Sequence, residues 1–141
     1  MSDDWYPRMR TMLEAPSPAS LTTRRADGTP VSTPVWFQWS EGAFEVVIAE
    51  HDLKEHRLEH DPLCSLLVFE MAYPFRGIES RGEAELRRGD MTEYRAAIAG
   101  RYLGAERGRR FAESRRSIPA VLFRLVPTDP KVWDLADIMP S

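Results

Sequence analysis

The stretch Asp27-Gly28-Thr29-Pro30-Val31-Ser32-Thr33-Pro34-Val35-Trp36-Phe37-Gln38-Trp39 decides the fold class. Val31, Thr33, Val35, Phe37 and Trp39 fill the odd positions with apolar or β-branched side chains, and Ser32, Pro34 and Gln38 alternate with them. A period of two puts the odd residues on one face of a half-buried strand. Trp36 interrupts the polar face and needs a cover there, from a partner subunit or from a bound ring. Pro34 has no N–H to give to a ladder, which suits an edge strand or a neighbouring backbone group turned toward a ligand. Upstream, Ser20 to Arg25 reads as a strand feeding the Asp27–Pro30 turn, where Gly28 supplies a positive φ. Downstream, Ser40-Glu41-Gly42 is a hairpin turn, and Phe44, Val46 and Ile48 form a third strand with Glu45 on its opposite face. The result is an antiparallel meander.

The flanking segments extend it. Met9, Met12 and Leu13 have helical spacing and Pro16 and Pro18 end it, so residues 5–15 are predicted to form a short helix, a lid or a dimer arm. Residues 52–60 form another, capped by Asp52 and stopped by Asp61-Pro62. Leu63 to Phe69 is an apolar run suited to a strand covered on both faces. Ile78, Ser80, Gly82, Ala84 and Leu86 alternate with Glu79, Arg81, Glu83, Glu85 and Arg87, a strand with one wet face. Asp90 with Glu93 makes a capping box for a helix to Leu103, stopped by Gly104, and an arginine-rich helix covers 105–115. Val121, Phe123 and Leu125 form a strand, and Lys131 to Leu135 a last one around Trp133. Six to seven short antiparallel strands with few helices make a mainly β fold, a barrel or a sandwich. The expected organisation is one domain over 1–141, with an arm at 1–17, a barrel over 18–135, and helices near 52–60 and 90–115.

Composition narrows the function classes. The 141 residues, 43% hydrophobic and 29% charged, match one domain with one core. A formal charge of -3 argues against nucleic acid and anionic membrane as partners. No apolar run reaches the roughly 20 residues a membrane helix needs, and Met1-Ser2-Asp3-Asp4 lacks the basic-then-apolar order of a signal peptide, so a soluble, cytoplasmic protein is expected. Cys64 is the single cysteine, which excludes an internal disulfide and a Cys-rich zinc site and leaves redox chemistry to a borrowed cofactor. With no His or basic neighbour in its apolar strand, Cys64 reads as a small core residue. Lys54 and Lys131 are the only lysines among 19 basic residues.

The order of elements, together with Leu21-Thr22-Thr23-Arg24, the Asp27–Phe37 stretch, Lys54 to Leu58, Asp61-Pro62, Arg81-Gly82-Glu83-Ala84 and Arg101-Tyr102-Leu103-Gly104, resembles a known family over roughly residues 18–135. It is similar to the split β-barrel flavin and deazaflavin oxidoreductases, the pyridoxamine-5'-phosphate-oxidase-like superfamily, and especially its branch using coenzyme F420. The resemblance implies an FMN-binding split barrel and a homodimer with two cofactor sites at its interface. It also implies FMN or F420 as cofactor, with haem or biliverdin in a minority. Carried onto this chain, it places Lys54, His56 and Arg57 at the cofactor phosphate and Ser32, Thr33, Pro34, Val35 and Trp36 along the ring. Phe75, Arg76 and Trp133 would line the pocket from the second subunit. The basic cofactor strand and C-terminal Arg-rich signature of true pyridoxamine phosphate oxidases are absent, so that activity is not expected. The chain also departs from the family at Glu50-His51-Asp52, whose carboxylates repel a phosphate unless they point away.

The cofactor chemistry agrees: a phosphorylated flavin needs fixed positive charge, donors, and an apolar slot for the ring. His56 and His60 share a helix face as zinc ligands do, but no Cys accompanies them and the Glu spacing differs from a zinc-protease helix, so no metal is expected. One axial His suffices for haem, which keeps His51, His56 and His60 in the tetrapyrrole alternative. Arg107, Arg109, Arg110, Arg115 and Arg116 are broken by Glu106 and Glu113 and lack an aromatic ladder, against a nucleic-acid surface. The reading is an oxidoreductase passing a hydride between FMN or F420 and a small apolar electrophile such as an enone or quinone. The alternatives are a non-catalytic flavin or tetrapyrrole binding module and a member without cofactor. No catalytic acid is assigned, Tyr73 and solvent being the candidates.

Overall fold

Antiparallel pairing follows the alternation read above. The computed structural model describes residues 4–140; Met1, Ser2 and Asp3, read above for their charge order, and Ser141 lie outside the described residues. In chain order the elements are α1 (Tyr6–Glu14), β1 (Ala19–Arg24), β2 (Pro30–Val35), β3 (Gln38–Ser40), β4 (Ala43–Ala49), α2 (Leu53–His60) and β5 (Leu63–Phe69). There follow β6 (Gly77–Glu83), β7 (Glu85–Gly89), α3 (Thr92–Leu103), α4 (Ala105–Ser114), β8 (Ala120–Leu125), β9 (Lys131–Trp133) and a 3-10 turn (Leu135–Asp137). One sheet has the order β2-β1-β5-β6-β9 and the other β3-β4-β8-β7. Two runs predicted as single strands change sheet midway: β2 passes to β3 at Trp36-Phe37, and β6 to β7 at Ala84. That is why six to seven expected strands become nine. The two sheets, joined at these corners and not closed into one ladder, form a split barrel.

Pro30 and Pro34 are tolerated because β2 is an edge strand, paired only with β1. Its inward side chains meet those of both sheets in a core that includes Leu21, Phe37, Phe44, Leu66, Ile78 and Phe123. At the β2–β3 corner the ladder breaks, and the buried Phe37 N–H still needs an acceptor. It donates to Tyr102 Oη at 3.2 Å, and that hydroxyl donates to Ser17 O at 2.9 Å. Burial pushes the Tyr102 phenol up from its ordinary value.

The helix predicted as a lid or dimer arm is a core element of its own barrel. Met9, Met12 and Leu13 of α1 are buried, and the Arg101 guanidinium takes the carbonyls of Leu13 at 3.0 Å and Ala15 at 2.5 Å at its C-terminal end. The capping box predicted for α3 does not form: the N-cap residue is Met91, with no side-chain capping bond. Asp90 accepts instead from Thr92 N at 3.0 Å and Thr92 Oγ1 at 2.6 Å, whereas the Glu93 carboxylate takes the Arg109 fork at 2.9 and 3.0 Å. Helices α3 and α4 cross at Gly100 and Gly108, where a Cβ on Gly108 would stand 2.5 Å from the Gly100 backbone. Among the described residues no helix is long and apolar enough to cross a membrane.

Candidate functional site

A cavity of about 230 Å³ lies between the β2–β3 corner, β4, the start of α2, and the α3–α4 pair. Pro34, Val35 and Trp36 form one wall, Lys54 stands at the head of α2, and Arg95, Phe111 and Arg115 form the helical wall. Val46, Val47, Ala49, Ile98 and Ala99 supply the apolar remainder, and among the described residues no carboxylate lines the cavity. Trp36, expected to need a partner subunit or a ligand ring, is covered only in part by its own chain. It stacks on Tyr102 at 5.4 Å and meets Phe111 edge-on at 5.5 Å, which leaves it 38% exposed.

Each cation is oriented by a specific contact. Asp52 caps α2 through Lys54 N at 2.8 Å and holds the Lys54 ammonium at 3.1 Å. Burial pushes the Asp52 carboxyl up, but the Lys54 N–H and ammonium outweigh that and keep it below its ordinary value. Arg95 donates to the Arg115 and Ile118 carbonyls, at 2.8 and 3.0 Å, just past the end of α4. Among the described residues no carboxylate pairs with Arg95, and burial draws its pKa down. The Arg115 guanidinium lies 4.8 Å over the Phe111 ring. Of the two carboxylates in the acidic stretch, Glu50 is 3.7 Å from Arg88 on β7, which also holds Glu55 at 3.1 Å and Glu59, whereas Asp52 stays beside the Lys54 ammonium. Burial raises the Glu55 carboxyl, yet the His51 N–H and Arg88 together hold it below its usual range.

The structure brings together four of the residues implied by the family resemblance, Pro34, Val35, Trp36 and Lys54, and places the others elsewhere. Ser32 faces outward and shares a 2.7 Å hydrogen bond with Thr22. Thr33 alternates inward, its buried hydroxyl without a hydrogen-bond partner. His56 is exposed with its ring 5.9 Å from that of His60, and Arg57 reaches to Thr23 Oγ1 at 3.2 Å. Of the three basic residues proposed on α2, Lys54 alone lines the cavity.

Phe75, Arg76 and Trp133 gather in a separate hollow of about 280 Å³ with Leu67, Phe69 and Leu135, sharing no lining residue with the first. Arg76 is spent there. Its guanidinium grips Glu70 at 2.6 and 3.1 Å and donates to Arg8 O at 2.9 Å, so it ties the β5–β6 loop to α1. Tyr73 is exposed and lines neither hollow. The Cys64 thiol, pushed up to about 12 by burial, is a core group as its sequence context predicted. Among the described residues no three His, Cys, Asp or Glu side chains converge as metal ligands.

Arg95, Ile98, Ala99, Phe111 and Arg115 were missed by sequence reasoning. Arg95, Ile98 and Ala99 stand at i, i+3 and i+4, and Phe111 and Arg115 at i, i+4, so each set marks one helix face. That spacing carries the face but not what it packs against.

The sequence profile described as pyridoxamine 5'-phosphate oxidase matches residues 6–134. The chain belongs to the pyridoxamine 5'-phosphate oxidase family. Among solved structures, this family member is similar to the conserved hypothetical protein Rv2991 from Mycobacterium tuberculosis, with 22% identity and a TM-score of 0.81 over 100% of this chain and 90% of the other. It is similar to a structure described as an F420 reductase, with 22% identity and a TM-score of 0.70 over 86% of this chain and 94% of that one. A third similarity is to HutZ, the heme storage protein of Vibrio cholerae, with 19% identity and a TM-score of 0.65 over 91% and 92%. No curated protein matches the chain by sequence. These similarities establish the fold that the family match names.

Proposed function

We propose that this family member is a homodimeric oxidoreductase that binds a phosphorylated flavin or the deazaflavin F420 and acts on a small apolar electrophile such as an enone or quinone. The observation that carries this reading is the cavity itself, in which Lys54, Arg95 and Arg115 surround an apolar wall ending in Trp36, with no carboxylate among them. That donor set fits a phosphate, because charge-assisted hydrogen bonds to ammonium and guanidinium groups are the strong class, and the apolar wall fits a ring system. When bound, such a cofactor supplies the hydride chemistry. The chain's residues then have separate tasks. Lys54 meets the anion in exchange for part of its contact with Asp52, the Pro34–Trp36 corner orients the ring, and Ile98, Ala99 and Val47 keep water from the apolar side.

A cavity of about 230 Å³ is below the roughly 300–1,000 Å³ of ordinary cofactor sites, which supports a site completed by a second copy. The outer face of the five-stranded sheet carries Leu63, 44% exposed, at one end and Trp133, 39% exposed and beside Phe75, at the other. Pairing of two such faces is the homodimer in this reading.

The test is spectroscopic titration of the full chain with FMN, F420 and haemin, each with and without Lys54→Ala. One lost charge-assisted contact of roughly 1.5–3 kcal/mol weakens binding of the phosphorylated cofactor by about tenfold to a hundredfold. The dephosphorylated form loses much less. Saturable acceleration of reduced-cofactor oxidation by an enone or quinone separates an enzyme from a store. A Soret band with haemin that vanishes on replacing His56 or His60, with no flavin binding, would replace this reading with a tetrapyrrole store. Equal affinity of wild type and Lys54→Ala for both cofactor forms would refute the site.

A further inference from the structure

The roomiest of the described hollows, about 730 Å³, is a different one, between the start of α1, the β3–β4 turn and the segment after β8. Trp5, Tyr6 and Trp39 wall it, with Glu14, Glu41 and Pro127 among the remaining lining. The three rings meet at 5.7 to 5.8 Å, Tyr6 stacked on Trp39 and Trp5 nearly perpendicular to both. None of the three is fully buried, so the triad combines mutual packing with aromatic surface open to the hollow. Its volume lies within the range of small-molecule sites.

Charge decides what the hollow suits. Seventeen of the 19 basic residues are arginine, and arginines occupy most of the ion pairs, yet no basic side chain lines this hollow. Glu14 shares its carboxylate with Arg10 at 2.8 Å. Arg124, the nearest arginine to the turn by its contacts, donates to the Glu41 carbonyl at 3.0 Å and pairs with Glu45 at 3.5 Å. The Glu41 carboxylate itself has no ion pair among the described residues. Aromatic faces carry negative quadrupole charge, with tryptophan the strongest, and a free carboxylate at the rim adds to it. Anions are repelled by both features, and a neutral apolar molecule uses only the first.

We propose that this cleft is a binding site for an organic cation with an apolar body, such as an aryl or alkyl quaternary ammonium compound. It lies apart from Lys54 and does not depend on the cofactor reading. The test is calorimetric titration of the full chain with benzyltrimethylammonium, with benzyl alcohol and benzoate as neutral and anionic counterparts. Saturable binding of the cation is expected, with the alcohol several-fold weaker and benzoate not bound. Trp39→Leu should weaken the cation about two- to thirtyfold. Glu41→Gln should weaken it a few-fold and remove most of its salt dependence, and Lys54→Ala should leave it unchanged. Because Trp39 also packs on Phe44 at 4.9 Å, the exposed-turn variant Glu41→Gln keeps the test decisive if Trp39→Leu fails to fold. Absence of saturable binding, equal affinity for benzyl alcohol, or indifference to Glu41→Gln would overturn the proposal. So would dissociation of a dimer by Glu41→Gln, which would make the cleft a subunit contact.

Discussion

The α3–α4 crossing offers a test in which two similar substitutions have opposite signs. A Cβ added at Gly108 stands 2.5 Å from the Gly100 Cα and N and 3.0 Å from the Ala99 carbonyl carbon. These are backbone atoms of a helix, which cannot rotate away, so the helices must part by about 1 Å to restore van der Waals distance. Overpacking of this kind costs about 1–3 kcal/mol, against roughly 1 kcal/mol gained by replacing a helical glycine with alanine. With backbone on one side of the clash the upper end applies, so Gly108→Ala should lose about 2 kcal/mol net. At Gly100 the added Cβ meets only Ala105 Cα at 3.6 Å, an ordinary contact, so Gly100→Ala should gain up to about 1 kcal/mol from helix propensity. Urea unfolding of both variants measures this: with a slope of about 2 kcal/mol/M, Gly108→Ala should lower the midpoint by about 1 M, its slope unchanged. Because Arg95 and Ile98 stand on one helix and Phe111 on the other, with Arg115 just past its end, the same shift loosens the wall of the candidate site. Equal stability of Gly108→Ala and wild type would refute the close crossing.

Three other outcomes follow from particular contacts. Tyr102→Phe keeps the stack on Trp36 but orphans the Phe37 N–H and the Ser17 carbonyl, so urea unfolding should show a loss of about 2–3 kcal/mol; a loss under about 0.5 kcal/mol would show that Phe37 finds another acceptor. The hydrogen bond from Arg76 holds the Glu70 carboxyl below its usual 4.5, so the pair stabilises the fold above that value and the contribution fades as pH falls through the lower, folded-state pKa. The stability gap between wild type and Glu70→Gln should therefore be widest at neutral pH and shrink in acid, and a gap independent of pH would refute the pairing. Cys64, its thiol pushed up to about 12 by burial, should resist a thiol reagent at mildly alkaline pH and react stoichiometrically once urea unfolds the chain.

Local pattern was enough for most of the fold. The alternation from Val31 to Trp39 and from Ile78 to Arg87, the turns at Gly28 and Gly42, and the helices after Asp52 and Asp90 are all short-range features, settled by side-chain periodicity and backbone sterics within a few residues. Cys64 and the outward Ser32 followed from the same period.

What alternation does not contain is where a strand leaves its sheet. The corner at Trp36-Phe37 depends on Tyr102, sixty-five residues later for Phe37, whose hydroxyl replaces the missing ladder partner. The rank of the site residues was also beyond the sequence. Lys54, His56 and Arg57 share one short helix, yet only Lys54 meets the cavity, because the turn of α2 sends Arg57 to Thr23 and His56 to the surface. Arg76 and Arg95 are both arginines with unremarkable neighbours in the chain. Folding commits the first to Glu70 and leaves the second, among the described residues, without a paired carboxylate at the edge of an apolar hollow. Periodicity determined which face each side chain takes, whereas packing between distant segments decided what that face meets, since a guanidinium or ammonium acts according to the partners brought within a few ångströms of it.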